Sequence, residues 1–217
     1  MKNFLTAKIT RRYLNKFITE HANSDGLVLD LGCGSGKYAK YFKQRIGFDM
    51  KPGQGVDVVG DAHQLPFEDE KFDTILCAEV LEHLREPAKA IVEMRRVLKK
   101  GGLLILSTRF IFPLHDTPGD FWRFTKYGLK ELFKGWEIIE LTEEEGTIKT
   151  LAVLLQRVGY QTELRGGKFS KLIIFALAKF IDCLPNLIRK EYGDIGKNNS
   201  EKNIMASGYY LVGRKTI

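Results

Sequence analysis

The sequence has few cysteines and no repeat or low-complexity segment. Its three cysteines, Cys33, Cys77 and Cys183, are odd in number and share no metal-ligand spacing. Neither a disulfide framework nor a metal site is therefore expected. Scattered single thiols are typical of a reducing compartment, and we expect a cytoplasmic protein.

Long apolar runs are also missing. The first twenty residues carry charges throughout and contain no apolar core of the kind found in signal peptides. The most apolar stretch, residues 172–188, is interrupted by Lys179, Asp182 and Pro185. A spanning helix needs about 20 apolar residues, so no transmembrane segment is expected.

Positive charge is present but unevenly spread. The formal net charge is +7, of which residues 1–20 and 165–191 each hold +4, leaving −1 for the rest. Two basic segments on a near-neutral body favour acidic substrates or anionic lipid over a nucleic-acid groove, so no nucleic-acid partner is expected. The alternative is that these lysines only solvate helix faces.

The periodicity predicts an α/β protein. Short Val-, Ile- and Leu-rich runs alternate with amphipathic stretches, which is typical of a doubly wound, Rossmann-like parallel sheet. We predict strands at about 27–31, 45–49, 56–60, 72–77, 102–108, 136–141 and 208–214. The predicted helices lie at about 36–43, 86–98 and 125–134, the last capped by Thr125.

Two segments extend this core. Residues 1–24 are predicted to form a basic amphipathic helix with Phe4, Ile9, Tyr13, Phe17 and Ile18 near one side. Residues 25–217 are predicted to form one domain with a helical insertion at about 143–207, since that interval is far too long for a turn.

The stretch "VLDLGCGSG", residues 28–36, indicates a ligand site after the first strand. Glycines allow a ligand to approach the backbone there. The third glycine of a dinucleotide fingerprint would fall at position 37, which is Lys37. Asp30 would repel a pyrophosphate but favour a cationic ligand. Asp49, at the end of the next strand, can accept hydrogen bonds from ribose hydroxyls.

Four motifs carry a family resemblance. "VLDLGCGSG", "IGFD", "GDAHQLPFEDEKFDTILCAEVLEHL" and "RVLKKGGLLILST" occur in this order over about residues 25–142. Together they resemble the class I S-adenosylmethionine-dependent methyltransferases, in particular the small-molecule branch. The resemblance implies a seven-stranded sheet with an antiparallel last strand and S-adenosylmethionine as cofactor.

The resemblance also implies roles for individual residues. Glycines 32, 34 and 36 would line the methionine part of the cofactor near Asp30, Asp49 would hold the ribose, and positions 61–62 and 77–79 would border the adenine and the sulfonium. The implied cofactor residues are Asp30, Gly32, Gly34, Gly36, Asp49, Asp61, Ala62, Cys77 and Ala78, with Glu79 beside them. Packing or turn-capping roles remain open for Gly36, Asp61 and Cys77.

Two histidines are the candidate catalytic bases. His83 follows the fourth strand and His115, with Asp116 expected to orient its ring, follows the fifth. Arg109, Trp122 and Arg123 are candidates for clamping an anionic or sugar-like acceptor, and "HDTPGDFWRFT" resembles a stretch in methyltransferase-like proteins of glycan or lipid-linked pathways.

The predicted function is therefore methyl transfer to a small-molecule acceptor, and glycan-related or amphiphilic compounds are the candidate acceptors. A catalytically inactive protein of the same fold, acting as a binding or scaffold protein, is the alternative. A nicotinamide oxidoreductase is disfavoured by Asp30 and Lys37. The basic, apolar segment 165–191 is expected to favour an amphiphilic substrate or transient membrane-surface contact. The alternatives are that this segment closes a homodimer interface or only packs on the sheet.

Overall fold

The computed structural model describes residues 6–22, 25–184 and 187–216. The chain divides into two compact units. The sheet unit comprises Tyr13–Arg109, His115–Thr142 and Tyr209–Ile217, and the helical unit comprises Met1–Arg12, Phe110–Leu114 and Glu143–Gly208. Phe4 and Pro185, used above, lie outside the described residues.

The described strands run in chain order as β1 (Leu27–Leu31), β2 (Gln44–Asp49), β3 (Val58–Val59), β4 (Phe72–Ala78), β5 (Leu98–Arg109), β6 (Trp136–Glu143), β7 (Glu191–Tyr192), β8 (Ser200–Glu201) and β9 (Gly208–Lys215). All but β7 and β8 form one seven-stranded sheet in the order β3-β2-β1-β4-β5-β9-β6. The pairs among β1 to β5 are parallel, and β9 is antiparallel to β5. The predicted doubly wound sheet with an antiparallel last strand is confirmed.

The central strands are buried on both faces, as their continuous apolar runs predict. The order reverses between β1 and β4, because β1 lies next to β2 on one side and β4 on the other. In open α/β sheets, ligands bind beyond the carboxyl ends of the strands at such a reversal. The fold thus places the loops after β1, β2 and β4 at one edge.

Among the described residues of the sheet unit there are three α-helices: α1 (Leu14–His21), α2 (Pro87–Val97) and α3 (Lys126–Leu132). Helix α1 buries Leu14, Phe17 and Ile18 in a core cluster with side chains of β1, β4, β5 and β9. The predicted cap of α3 is confirmed, since the Thr125 hydroxyl accepts a hydrogen bond from Gly128 N at 3.0 Å.

Two helix predictions were wrong in extent. The interval 36–43 contains only a short 3-10 turn, Ala39–Tyr41, and Gly36 at its start has a φ of +71° that an α-helix cannot include. The predicted single helix over residues 1–24 is interrupted, because residues 7–13 are not helical and Arg11 has a φ of +61°; the helix described after this break is Leu14–His21.

The helical unit contains α4 (Thr147–Gln161), α5 (Gly167–Asp182) and the antiparallel pair β7–β8. Ile9, Ala152, Val153 and Ala178 form its buried cluster. Phe175 of α5 packs directly on Gly159 of α4, where an added Cβ would lie 2.8 Å from the ring. Within the described residues, no helix has the length and apolar character needed to cross a membrane.

Candidate functional site

The loop after β1 turns through three glycines in the left-handed region. Gly32, Gly34 and Gly36 have φ values of +70°, +53° and +71°, which other residues adopt only at a cost. Their surroundings differ. A Cβ on Gly32 would lie 2.3 Å from Val80, and one on Gly36 would lie 3.3 Å from the Gly55 backbone. A Cβ on Gly34 would meet nothing within 4 Å, so the backbone is open to a ligand there.

Asp49 ends β2 directly beside this open position. Its Oδ2 accepts a hydrogen bond from Gly34 N at 2.9 Å, and its Oδ1 accepts one from Lys51 N at 3.2 Å. The side chain is only partly buried. A carboxylate held in this way keeps lone pairs on both oxygens for hydroxyl donors.

Asp30 lies deeper and already has a protein partner. Its Oδ2 accepts a hydrogen bond from Arg45 Nε at 2.9 Å, and both side chains are buried. Burial raises the pKa of Asp30, and the Arg45 guanidinium opposes that rise. Arg45 also donates through Nη2 to Gly55 O at 2.9 Å. Sequence reasoning missed Arg45, and direct contact between Asp30 and a cofactor stays a prediction.

Asp61 and Ala62 follow β3. The Asp61 Oδ1 accepts a hydrogen bond from His63 N at 2.9 Å and also lies within hydrogen-bond distance of His63 Nδ1. These bonds lower the pKa of Asp61, so the exposed side chain stays ionised. Glu86 N donates to His63 Nε2 at 3.2 Å, which assigns the ring proton to Nδ1 and its donation to Asp61. Ala62 is buried beside them.

The end of β4 is tightly enclosed. Cys77 is fully buried, and burial raises the pKa of its thiol far above the ordinary range, so it remains a neutral thiol and not a nucleophile. Ala78 is partly buried. Glu79 has a φ of +60°; its Oε1 accepts from Ser107 Oγ at 2.8 Å, and its Oε2 forms an ion pair with Arg109 Nη2. Arg109 is buried in this pair, so the expected acceptor clamp by Arg109 is wrong.

The structure brings the two candidate bases together. The rings of His83 and His115 lie 4.8 Å apart between centroids in an edge-to-face arrangement. His83 Nδ1 bonds to Gly119 O at 2.7 Å, and since the carbonyl can only accept, this nitrogen carries the proton. His115 is buried, with Nδ1 3.4 Å from Asp120 Oδ2.

The carboxylate that faces His115 Nδ1 is that of Asp120, not that of Asp116 as expected. A turn over residues 116–119, with Gly119 N donating to Asp116 O at 3.3 Å, returns the chain so that Asp120 Oδ2 also accepts from His115 N at 2.9 Å. Burial alone would raise the pKa of Asp120, but the bonds from Arg123 and His115 N outweigh it and hold it at about 2.

Arg123 is committed to Asp120 through two bonds of 2.6 Å, which leaves little of it for an acceptor. Trp122 stays partly exposed while its Nε1 donates to Leu84 O at 2.8 Å. Sequence reasoning also missed Glu82, which is fully buried next to His83. The available signal was its place in "EVLEHL", two residues before a loop at the carboxyl edge.

Comparison with known proteins agrees with this architecture. Residues 29–106 match the model of a family described as a methyltransferase domain. A putative methyltransferase of Encephalitozoon cuniculi is 37% identical over 45% of this chain and 50% of its own length. A tRNA U34 carboxymethyltransferase of Campylobacter curvus is 32% identical over 48% of this chain and 40% of its own. The chain thus spans about half or less of the curated relatives it matches.

The solved structures extend the likeness beyond the matched segment. A putative methyltransferase from Bacillus halodurans superimposes with a TM-score of 0.58 at 21% identity, covering 94% of this chain and 99% of that one. At this identity the likeness concerns the fold. Residues 29–106 thus match a methyltransferase-domain family, and the chain has the fold of the class I S-adenosylmethionine-dependent methyltransferases, a class whose cofactor is S-adenosylmethionine.

Proposed function

We propose that this protein transfers a methyl group from S-adenosylmethionine to a small-molecule acceptor. The observation that carries the proposal is the hydrogen bond from Gly34 N to Asp49 Oδ2 at 2.9 Å, at a glycine whose added Cβ would meet nothing within 4 Å. This pairing joins the open loop after β1, at the reversal point of the sheet, to a carboxylate at the carboxyl end of the neighbouring strand β2. The family match over residues 29–106 supports it.

The residues present fit this cofactor. Gly34 leaves room for the methionine part, Asp49 offers two oxygens to the ribose hydroxyls, and the ionised Asp61 can accept from an adenine amino group. The remaining contacts in the proposal are Asp30 through its Arg45 partner, Gly32, Gly36, Ala62, Cys77 and Ala78. The cofactor supplies a methyl group already activated by its sulfonium, so the protein mainly aligns the acceptor and excludes water.

For an oxygen or nitrogen acceptor, we propose His115 or His83 as the base. The Asp120 carboxylate 3.4 Å from His115 Nδ1 supports this role, because a carboxylate there can orient the imidazole ring. The partly exposed Trp122 indole favours a sugar-like or otherwise amphiphilic acceptor.

The absence of disulfides among Cys33, Cys77 and Cys183 in the described residues supports a cytoplasmic location.

Calorimetry tests the cofactor. We expect S-adenosylmethionine and S-adenosylhomocysteine to bind with micromolar affinity and to raise the melting temperature, as a ligand of the native state does, while NAD does neither. The reverse order would overturn the proposal. Transfer of labelled methyl to glycan, lipid-linked and other small acceptors, with tRNA as a further arm, then tests turnover. Binding without transfer to any of them favours the alternative of an inactive scaffold, and transfer only to tRNA contradicts a small-molecule acceptor.

We propose further that residues 1–24 and an insertion at about 143–207 are additions to a methyltransferase domain, and that segment 165–191 contacts anionic membrane surfaces. Helix α5 carries an outward apolar stripe, defined as Phe169, Leu172, Ile173, Leu177 and Phe180. Counted from Phe169, the other four lie at i+3, i+4, i+8 and i+11, which puts all five along one side of the helix. Phe169 is 70% exposed and Ile173 51% exposed, with basic residues in the same segment. Such a helix can lie at an interface.

Replacing Ile173 by aspartate separates membrane contact from the competing homodimer. We expect wild type to sediment with anionic but not neutral vesicles, less at high salt, and Ile173→Asp to lose this binding, because the charge lies in the apolar stripe. Val92→Asp, at an exposed apolar position of α2, is the matched control. No vesicle binding, together with a dimer mass that falls to that of a monomer in Ile173→Asp, contradicts membrane contact and favours the dimer.

A further inference from the structure

We infer that Glu82, His83 and His115 form a binding site for one divalent transition-metal ion of the Zn²⁺, Co²⁺ or Fe²⁺ class. One ligand atom from each residue lies within 4.8 Å of the other two. Glu82 and His115 are buried and His83 is partly buried. The spacing of the cysteines predicted no metal site. This cluster was not visible in the sequence either, because Glu82 and His83 are neighbours in one motif whereas His115 lies 32 residues beyond His83.

Glu82 provides an independent indication. Its side chain is fully buried, and its Oε2 accepts a hydrogen bond from Thr108 Oγ1 at 2.8 Å. Its Oε1 is buried and accepts no hydrogen bond from the residues described. A buried carboxylate oxygen without a donor is costly. A cation bound to Oε1 would remove that cost.

The neighbouring imidazole is at a suitable distance. His115 Nε2 lies 3.7 Å from Glu82 Oε1, too far for a good hydrogen bond. Zinc–nitrogen and zinc–oxygen bonds are about 2.0–2.2 Å, so two ligand atoms of a tetrahedral ion lie about 3.4 Å apart. An ion between these two atoms therefore needs only a small adjustment of the side chains.

In each of the three ligand side chains, the polar atom that would not bind the ion already faces a protein group. His83 donates from Nδ1 to Gly119 O at 2.7 Å, which leaves Nε2 for an ion. His115 Nδ1 faces Asp120 Oδ2 at 3.4 Å, and Arg123 holds that carboxylate. Thr108 orients Glu82. Metal-binding histidines commonly have such a carbonyl or carboxylate partner on the second ring nitrogen.

The ligand types indicate the class of ion. Two imidazoles and one carboxylate suit Zn²⁺ and its first-row neighbours, whereas Mg²⁺ and Ca²⁺ prefer oxygen ligands. Three protein ligands leave a coordination position for an acceptor hydroxyl, which the ion would polarise. A histidine that binds the ion through its lone pair cannot act as a base, so an occupied site would replace that proposed role.

The metal site is tested by binding alone, without methyl transfer. The full chain, stripped with a chelator, is titrated with Co²⁺ and with Zn²⁺ while calorimetry and the visible ligand-field absorption of Co²⁺ are recorded. We expect one ion per chain. Glu82→Gln and His115→Gln should weaken binding at least about tenfold, and Asp120→Asn about 10-fold or more through the orientation of His115. His63→Gln, a histidine outside the cluster that is bonded to Asp61, should bind as wild type.

Imidazole ¹⁵N chemical shifts of wild type give a readout that needs no folded variant. On Zn²⁺ addition, the resonances of His83 and His115 should move while those of His21 and His63 stay. Less than stoichiometric binding of either ion, or shifts confined to His21 or His63, would overturn the proposal. Wild-type affinity in folded Glu82→Gln and His115→Gln would do the same. S-adenosylmethionine binding is measured separately, so failure of the metal site leaves the methyltransferase proposal intact.

Discussion

Replacing Asp49 by alanine is expected to weaken S-adenosylmethionine binding about 10- to 100-fold. The proposed role of Asp49 is to accept hydrogen bonds from ribose hydroxyls, and charge-assisted hydrogen bonds contribute about 1.5–3 kcal/mol each, where 1.4 kcal/mol is tenfold. The substitution also removes the acceptor for Gly34 N, which orients the loop. Titration calorimetry of the variant with S-adenosylmethionine measures the change.

Asp25→Ala is a suitable control for this experiment. Asp25 forms an exposed ion pair with Lys43 at 2.7 Å, with the two side chains 75% and 73% exposed, and should leave binding unchanged. Thermal denaturation of the Asp49 variant verifies that the fold persists. A dissociation constant equal to that of wild type in a folded Asp49→Ala variant would mean that Asp49 does not hold the ribose.

The second large effect is expected for Gly47→Ala, in the middle of β2. A Cβ at Gly47 would lie 2.2 Å from the backbone oxygen of Gly55. Gly55 in turn lies against Gly36, since its own Cβ would be 3.0 Å from Gly36 Cα. The added methyl must therefore displace backbone, and we expect a loss of about 3 kcal/mol, or about 10 °C in melting temperature.

Gly53→Ala is the matched control for that prediction. Gly53 lies in the same loop as Gly55, residues 51–57, and has no positive φ. An added Cβ at Gly53 would lie an ordinary 3.6 Å from its nearest neighbour, Gly34 O. It should change the melting temperature by little. Scanning calorimetry compares the melting temperatures of the two variants. A Gly47→Ala variant as stable as Gly53→Ala would show that the 51–57 loop can move away from the added methyl group at little cost in free energy.

Local patterns in the sequence were sufficient for the sheet. Runs such as "LVLDL" and "FDTILCA" are apolar because strands covered on both faces need such residues, and this regularity depends only on neighbours in the chain. The helix cap at Thr125 was predictable for the same reason. The short turn that replaces the predicted helix at 36–43 was not predictable in this way, since the backbone conformation of Gly36 is set by its packing on Gly55.

The sequence by itself thus determined the fold class, the seven-stranded sheet with an antiparallel last strand that the family resemblance implies, and the positions of Gly34 and Asp49 at one edge of the sheet. Only the tertiary structure decided that Asp30 pairs with Arg45, and that Asp120 rather than Asp116 faces His115. It also decided that Glu82 joins the two histidines in one cluster. The physical reason is that strand and turn patterns arise from local sterics and burial, whereas side-chain partners depend on loop paths between residues distant in the chain.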